Sequence, residues 1–462
     1  MLSFAGTFDD DRLNRRADGL FASLLDHQCV SIRRLSRTWA EQVAYYRLLA
    51  NEALTHDALA GVLTDRTADL VRDADHVLCI HDTTQFNFQA HAGRLGDDSG
   101  LGVIGDNASL GFFLHPTLVV AADTGHALGL SHVKLWTRPP GQPGKAIRKR
   151  LPIESKESFR WVESVVGSRE ALPAPVTLTT VADREGDLYD LFYRLPTGTE
   201  ALVRSRADRR TRSGTLFGDL AAAPVSGEAT VHLRGDLRRG RAPREARLHY
   251  RHTSVRVLRP QTCRAAEAPP EVALWAVEVE EAPETVPEGE PPVHWRLLTT
   301  HAVETHERAH QIVGWYRQRW HVEQLFRVMK TAGFALETSE LERGASLFRL
   351  TFRVRVAALD FLRLMLALRG ESAQPLGHVF DETEQACLSA LGTQVEGRTA
   401  KQRNPHAAGT LAWAGWVVAR LGGWKGYRSQ RRAGPITYHR GLTRFRGLCE
   451  GWALAHGAVY TP

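Results

Sequence analysis

Lysine and cysteine are both scarce in this chain. Only seven of the 59 basic residues are lysine, so arginine carries almost all of the positive charge. The five cysteines are widely scattered and form no CxxC pair, which argues against a zinc site and against a disulfide framework. We therefore expect reduced thiols, most of them buried.

A long uninterrupted apolar segment is also missing. The most apolar stretch, Leu347–Leu368, is broken by four arginines and one aspartate. It predicts an amphipathic helix packed within the protein and no membrane span. The first residues are acidic and then basic, without the apolar core of a signal peptide. We therefore expect a cytoplasmic protein with no membrane partner.

Positive charge is concentrated in a few segments. The net charge is +7 and the sequence pI is about 9.3. Localised basic patches beside an acidic linker at 278–290 fit a polyanionic partner such as nucleic acid. Many soluble proteins carry such clusters only as solvated surface, so charge alone leaves both interpretations open. The basic segments are 145–150, 204–212, 234–247 and 425–432.

The order of predicted elements indicates an α/β protein with helical ends. Residues 1–75 show apolar residues at helical spacing with arginines between them. Short apolar runs typical of buried strands begin at Val77 and alternate with helical segments. Residues 210–300 contain short strand-like segments with frequent proline and glycine, which predicts an all-β insertion. The chain from Thr305 onward is mostly helical, so the pattern indicates an α/β core with an inserted β domain.

Two aspartates directly follow buried strands. Asp82 comes after the run Val77–Ile80, and Asp183 comes after Val176–Ala182. Ligand sites in α/β folds gather at strand ends, so both carboxylates are candidate site residues. The alternative is that each aspartate caps a turn, as aspartates at strand ends commonly do.

A third carboxylate belongs to a predicted helix. If one helix runs through Tyr316, Arg319, Glu323 and Lys330, they fall within a stripe of about 60°, at about 100° per residue. This stripe lies beside an apolar face. A purely structural helix would explain part of it, because Arg319 and Glu323 have the i,i+4 spacing of an ion pair.

Three carboxylates with neighbouring cations suit phosphodiester chemistry. Such reactions use two divalent ions about 3.5–4 Å apart, which activate the attacking oxygen and stabilise the leaving oxygen. Mg²⁺ prefers oxygen ligands and retains several waters, so Asp82, Asp183 and Glu323 suffice as its protein ligands. Arginine and lysine on the same stripe can hold the flanking phosphates.

These residues resemble the signature of a known family of transposases. Tyr316-x2-Arg319-x3-Glu323-x6-Lys330 is similar to the motif of insertion-sequence transposases of the IS-four class, which includes the Tn-five transposase. HDTTQ around Asp82 and ADREGDLYDLF around Asp183 resemble the first and second catalytic aspartate motifs of that class. The resemblance spans nearly the whole chain and is weakest in the N-terminal region.

The resemblance implies a fold and a division into domains. It implies an RNase H-like catalytic core at 76–370, with an inserted antiparallel β subdomain at 205–300. It also implies a helical N-terminal domain at 1–75 that binds transposon ends and a helical C-terminal region at 371–462 for dimerisation. The implied partners are double-stranded DNA and a second copy of the chain in a synaptic homodimer. The expected location is the bacterial cytoplasm, in association with the nucleoid.

The resemblance further implies cut-and-paste transposition with two Mg²⁺ ions, which Mn²⁺ can replace. One strand is nicked at the transposon end, and its 3′-OH attacks the other strand to form a hairpin. The hairpin is reopened, and the 3′-OH then joins target DNA. Asp82, Asp183 and Glu323 would be catalytic metal ligands, and the remaining signature residues, Tyr316, Arg319 and Lys330, would bind DNA.

Trp295 and Arg204 are two further candidates for DNA contact. Trp295 ends the β insertion 21 residues before Tyr316, where the family has a tryptophan that stacks on a flipped base. The alternative for Trp295 is an aromatic residue of the insertion core. Arg204 resembles another DNA-contacting arginine of the family.

Two other functions are compatible with the same sequence. A decayed or domesticated copy would bind transposon ends without catalysis, and an RNase H-like nuclease would cut DNA without joining strands. The presence of all three carboxylates argues against decay. Trp295 and the signature tyrosine, arginine and lysine favour a transposase over a simple nuclease.

Overall fold

The chain forms two units whose segments alternate along the sequence. The first unit comprises Met1–Asp73, Thr83–Gln142 and His321–Pro462, and the second comprises Ala74–Asp82 and Pro143–Trp320. Parts of the basic segments 145–150, 234–247 and 425–432 lie outside the described residues. The structure is a computed structural model that describes residues 3–95, 99–141, 147, 150–233, 235, 241–331, 333–370, 372–427, 430 and 432–457.

Four helices form the N-terminal part of the first unit. Side chains of Asp10, Thr38 and Thr55 accept hydrogen bonds from first-turn amides that would otherwise lack a partner. The helical character predicted for this region is confirmed. The helices are α1 (Asp11–His27), α2 (Ile32–Leu35), α3 (Trp39–Ala50) and α4 (His56–Leu70).

The strands that follow divide between the units. β1 (His76–His81) belongs to the second unit. In the first unit, β4 pairs antiparallel with three partners. Helix α4 packs closely on β5, since a Cβ at Gly129 would lie 1.9 Å from the hydroxyl oxygen of Thr67. The strands of the first unit are β2 (Thr84–Asn87), β3 (Gly102–Val103), β4 (Leu110–Ala121) and β5 (Ala127–Trp136).

The second unit is built on a mixed sheet with the strand order β1-β6-β7-β11-β10-β9-β8. β1, β6 and β7 are parallel, and the pairs from β7–β11 to β9–β8 are antiparallel. Its further strands are β6 (Thr177–Ala182), β7 (Thr199–Arg204), β8 (Gly227–Leu233), β9 (Arg244–Leu258), β10 (Glu271–Glu281) and β11 (His294–Thr299). Its helices are α5 (Arg160–Ala171), α6 (Tyr189–Tyr193), α7 (Leu216–Ala222) and α8 (His306–Arg317).

The predicted insertion is antiparallel, but the expectation that it is all-β is wrong. It contains the helix α7, which begins after Thr215, whose side chain accepts from the amide of Gly218. The insertion strands also extend the sheet of β1, β6 and β7, because β11 pairs with β7 at Leu298 and Val203. A short helix within alternating strand-like segments gives no periodic signal long enough to detect.

One hydrophobic core joins the parallel and antiparallel parts of the second unit. Trp161 of α5, Phe192 of α6 and Leu216 of α7 are buried together with Val255 of β9 and Leu298 of β11. Each such side chain contributes roughly 1.5–3 kcal/mol on burial. This core fixes the parallel strand ends, where two of the predicted site residues lie.

The chain ends in helices of the first unit. The apolar stretch predicted as an amphipathic helix forms α10, which is buried on all sides over most of its length. Even Arg363 is buried, and it pairs with Asp360 at 2.8 Å. Among the described residues, no helix has the length and apolar character needed to span a bilayer. These helices are α9 (Trp320–Met329), α10 (Gly344–Gly370), α11 (Glu382–Gln394), α12 (Leu411–Leu421) and α13 (Pro435–Ala455).

Candidate active site and nucleic-acid-binding surface

Asp82 and Asp183 follow neighbouring parallel strands in register. Ile80 of β1 stands opposite Val181 of β6, an offset of 101 positions, and Asp183 follows Asp82 by the same 101. The carboxyl ends of parallel strands meet at one sheet edge, so both aspartates lie at that edge of the second unit. The strand-end positions predicted from the apolar runs are confirmed.

Asp183 also caps the turn that it begins. Its Oδ1 accepts a hydrogen bond of 2.8 Å from the amide of Glu185 at the start of a 3-10 turn. The capping interpretation therefore holds for Asp183. It does not exclude a second role, because a carboxylate has further lone pairs.

Arg319 forms an ion pair with Asp82. Its Nη1 lies 2.9 Å from Oδ2 of Asp82, and both side chains are less than one-fifth exposed. A charge-assisted hydrogen bond in a partly buried place is stronger than an exposed one. The sequence offered Glu323 as a helical partner for Arg319 and gave no sign of this distant one.

Tyr316 lies among charged groups at the same edge. It is buried, and burial raises the pKa of its hydroxyl; the cations Arg319 and Arg204 oppose that rise, and the negative charge of Asp183 adds to it. Both guanidinium groups donate hydrogen bonds to the Tyr316 hydroxyl. Arg204 also donates to the carbonyl oxygen of His294 at 3.1 Å. Tyr316 of α8 therefore lies among residues from two strand ends and from the turn that follows α8.

Trp295 stands beside Tyr316 and lines a cavity. The two rings meet edge to face, with centroids 5.4 Å apart. The cavity has a volume of about 290 Å³, and both apolar side chains and arginines line it. Its lining includes Arg204, Tyr250, Val279, Trp295, Val313 and Arg317. Trp295 is half-buried rather than enclosed in the core, so part of its side chain remains accessible.

The prediction of one helix from Tyr316 to Lys330 is wrong. Helix α8 ends at Arg317 and α9 begins at Trp320. At the break the amide of Arg319 donates to the carbonyl oxygen of Tyr316, an i,i+3 bond that tightens the last turn. The angular positions calculated at about 100° per residue for one straight helix therefore do not apply to residues on opposite sides of this break.

Glu323 and Lys330 belong to the first unit, whereas the other six predicted site residues belong to the second. Glu323 is half-buried in the first turn of α9, where the helix dipole favours a negative charge. The Lys330 ammonium lies 5.2 Å from the ring centre of Phe86, and burial lowers its pKa while Glu337 opposes that change. That all eight residues form one site remains a prediction.

Oxygen donors at the strand ends match the ligand preference of a hard divalent cation. Asp82 and Asp183 offer carboxylates at one sheet edge, and Mg²⁺ prefers such ligands. Over the described part of the chain, no group of three or more His, Cys, Asp and Glu side chains meets the geometry of a metal site.

Two carboxylates that follow Asp183 hold its turn in place through ion pairs. Glu185 pairs with the buried Arg160 at 2.7 Å, and the buried Asp187 accepts from Arg209 at 2.6 Å. The sequence did not predict either pairing, because Arg160 lies 25 positions from Glu185 and Arg209, within the basic segment 204–212, lies 22 positions from Asp187. The neighbouring His81 is buried and hydrogen-bonded to Thr180 at 2.6 Å, which gives it a structural place.

A second candidate surface lies on α2, α3 and the turn between them. Trp39 is 75% exposed and Tyr46 is 39% exposed, unusual values for large aromatic residues. Four arginines of α2, α3 and the turn between them are also exposed, namely Arg33, Arg34, Arg37 and Arg47. Exposed aromatic and cationic side chains in one small helical region are typical of a nucleic-acid-binding surface.

Two family models match the chain. Residues 169–359 match the transposase DDE domain, and residues 5–54 match the transposase DNA-binding domain. Together they support a DNA transposase. The transposase DDE match includes every predicted site residue except Asp82, which precedes it, and the DNA-binding match includes α1, α2 and α3.

Proposed function

We propose that this chain is a cut-and-paste transposase of the IS-four class, with an RNase H-like core. One observation carries the proposal: in a chain that matches both transposase domains, Asp82 and Asp183 stand in register at the ends of neighbouring parallel strands. Carboxylates so placed suit a site that acts on phosphodiesters.

Asp82, Asp183 and Glu323 are the proposed metal ligands. Bound Mg²⁺, or Mn²⁺ in its place, supplies activation of the attacking oxygen and stabilisation of the leaving oxygen. The protein's own part is to hold the scissile phosphate and the attacking group in line. The assignment of Glu323 rests on the signature it shares with Tyr316, Arg319 and Lys330.

Tyr316, Arg319, Arg204 and Lys330 are the proposed phosphate contacts. Arginine can grip two phosphate oxygens at once, whereas lysine acts as a point charge. The buried Tyr316 hydroxyl accepts from both arginines, which fixes the guanidinium groups in orientation before DNA binds. Such preorganisation lowers the reorganisation needed during the reaction.

Trp295 is the proposed platform for a base that leaves the helical stack during hairpin formation. A half-buried ring beside a cavity of about 290 Å³ supports this role. Stacking of one base on an aromatic side chain contributes about 1–3 kcal/mol. That contribution offsets part of the free energy of unstacking.

The surface of α2 and α3 is the proposed reader of the transposon end. A helix that exposes Trp39 and Tyr46 on one stretch of surface can contact base edges, while the arginines around it contact phosphates. The proposed assembly is a homodimer that holds two ends and then the target DNA.

The test is incubation of the full chain with a duplex that carries the element's own terminus, in the presence of Mg²⁺. We expect nicked, hairpin and double-strand-break products in that order, and no cleavage by Glu323→Ala although that variant still binds the duplex. Glu342→Ala, an exposed acidic residue between α9 and α10, serves as the matched control.

Each alternative function predicts a different product pattern. Binding without cleavage by the wild type would favour an end-binding protein without catalysis. Nicks without hairpins or joined products would favour a nuclease. Equal cleavage by Glu323→Ala and the wild type would exclude Glu323 from the site.

A further inference from the structure

The turn after β6 presents an arginine that neither the signature nor the predicted DNA contacts include. Arg184 directly follows Asp183 and is exposed. It opens the 3-10 turn Arg184–Gly186, which Asp183 caps. An exposed guanidinium one position from a proposed metal ligand is within reach of a phosphate that binds at the same metal site.

This turn is held rigidly on both sides. On one side Glu185 pairs with Arg160, whose side chain is only 9% exposed. On the other, Asp187 accepts from Arg209, and its second oxygen accepts from the amide of Arg206. Between them, a Cβ at Gly186 would lie 2.5 Å from that of Ala182, so the backbone packs directly on β6. The main chain of Arg184 is therefore fixed, while its side chain extends into solvent.

Arg184 also stands near other cations. The charges of Arg184 and Arg319 both add to the burial that lowers the pKa of Arg204. Arg319 pairs with Asp82, and Arg204 donates to Tyr316 and to the carbonyl oxygen of His294. For Arg184, by contrast, no carboxylate partner occurs among the residues that the structure describes. Like charges held together by a rigid backbone are unfavourable unless an anion joins them.

We propose that Arg184 binds a backbone phosphate of the DNA strand at the Asp82–Asp183 edge and completes an arginine cluster with Arg204 and Arg319. This inference rests on the proposed function and adds a residue to it. The ligand class is a phosphodiester, which the planar guanidinium can hold through two parallel hydrogen bonds. Lysine in its place would keep the charge and lose the second bond.

The experiment compares Arg184→Ala and Arg184→Lys with the wild type. Binding to the labelled terminal duplex is measured over a range of salt concentrations with Ca²⁺, and first-strand nicking is then timed with Mg²⁺. For Arg184→Ala we expect the slope of log affinity against log salt to fall by about one, since one phosphate contact is lost. We expect nicking to slow by about tenfold or more, in line with the loss of a charged hydrogen bond. Arg184→Lys should keep the slope and nick at an intermediate rate.

The matched control is Arg264→Ala, an exposed arginine of the same unit in the loop after β9. Thermal unfolding of each variant separates a structural role from a binding role, because a solvent-exposed side chain should leave the melting temperature unchanged. If Arg184→Ala has the slope and nicking rate of Arg264→Ala, the inference is overturned. It is equally overturned if the loss of nicking is matched by a loss of folded protein in both Arg184 variants.

The outcome also separates this inference from the function on which it rests. A wild type that cuts its terminal duplex, with Arg184→Ala unaffected, leaves the transposase proposal standing and removes only Arg184. A wild type that neither binds nor cuts the duplex removes both.

Discussion

The Asp82–Arg319 pair connects two different proposed roles in one contact. Asp82 is a proposed metal ligand and Arg319 is a proposed phosphate ligand. In this structure the two side chains form an ion pair with each other at 2.9 Å. A cation that binds Asp82 must compete with the guanidinium. A phosphate that draws Arg319 away removes that competitor, so DNA and metal should favour each other's binding.

Arg319→Gln should therefore raise the affinity for Mn²⁺ in the absence of DNA. An ion pair of this kind contributes up to about 1 kcal/mol, which corresponds to a gain of about fivefold. Calorimetric titration with Mn²⁺ alone measures it, with Arg317→Gln, an exposed neighbour at the end of α8, as the control. An unchanged Mn²⁺ affinity would show that the pair does not oppose metal binding.

Trp295→Ala should separate two steps of the reaction. First-strand nicking should remain largely intact, because the lining of the cavity at Trp295 includes neither Asp82 nor Asp183. Hairpin formation should fall by about fivefold to a hundredfold, as expected for a loss of about 1–3 kcal/mol of stacking.

Gel analysis of both products over time measures the two steps. Trp275→Ala, another half-buried tryptophan of the same sheet, is the control. An equal loss of nicking and hairpin formation would remove the stacking role from Trp295.

Among the elements, α3 combines a buried and an exposed face. Tyr45, Leu48 and Leu49 are buried, whereas Trp39 and Tyr46 are exposed. The buried face explains why helical spacing was visible in the sequence. The exposed aromatic residues have no evident stabilising role, which points to a partner.

Trp39→Ala should lower the affinity for the terminal duplex by about fivefold or more and leave the melting temperature unchanged. The reason is that a large ring, exposed in the free protein, is desolvated only in the complex. Anisotropy titration measures the affinity. Val225→Ala, a residue 44% exposed between α7 and β8, is the control, and equal affinities of the two variants would contradict the role of α3.

A buried junction of three helices predicts a dependence of stability on pH. Arg446 of α13 contacts both Asp26 of α1 and Glu384 of α11. Burial away from water raises the pKa of Glu384 to about 7, although the Arg446 guanidinium opposes that rise. The native state then holds a proton that the unfolded state has released, so stability falls as pH rises from about 4.5 to about 7.

Glu384→Gln should remove this fall. The amide keeps an acceptor for the amide of Asp381, which caps α11, and leaves Asp26 as partner for Arg446. We expect the variant to match the wild type near pH 5 and to melt a few degrees higher near pH 8. Thermal unfolding across pH tests this, with the exposed Glu382→Gln as the control. A parallel pH profile for Glu384→Gln and the wild type would contradict it.

The break between α8 and α9 is a feature of the secondary structure that the sequence did not predict. Apolar spacing located the helical region, and the i,i+3 bond at Arg319 that ends α8 has no sequence signal such as proline or glycine. The strand ends at Asp82 and Asp183 were predictable because buried parallel strands are short apolar runs with polar ends. Helix α7 and the pairing of Arg209 with Asp187 were not, since both depend on contacts that form only in the folded chain.

On the scale of the whole molecule, the order of elements was predictable and the division into units was not. Helical ends, an α/β core and an antiparallel insertion all follow from local patterns. The interleaved units depend on which distant segments pack together, and residues 74–82 join the second unit although helices of the first precede them. Local periodicity carries no information on such long-range packing.

The proposed homodimer leads to a prediction for α13. Ile436 and Leu454 are 54% and 81% exposed and stand 18 positions apart, which is five helical turns and hence the same side. We expect Ile436→Glu with Leu454→Glu to reduce the dimer fraction on terminal DNA, as judged by light scattering. Leu448→Glu, about 120° around the helix, is the control. An unchanged mass of the complex would place the dimer contact elsewhere.

The pairing of β1 with β6 has a consequence for synthesis in the cell. Because the partners are 101 positions apart, a ribosome that adds about 5–20 residues per second delivers β6 about 5–20 s after β1. During that interval the backbone groups of β1 that face β6 in the finished protein must be covered by solvent or by a chaperone. The yield of folded protein should therefore depend on elongation speed and chaperone supply, even when the final fold is stable.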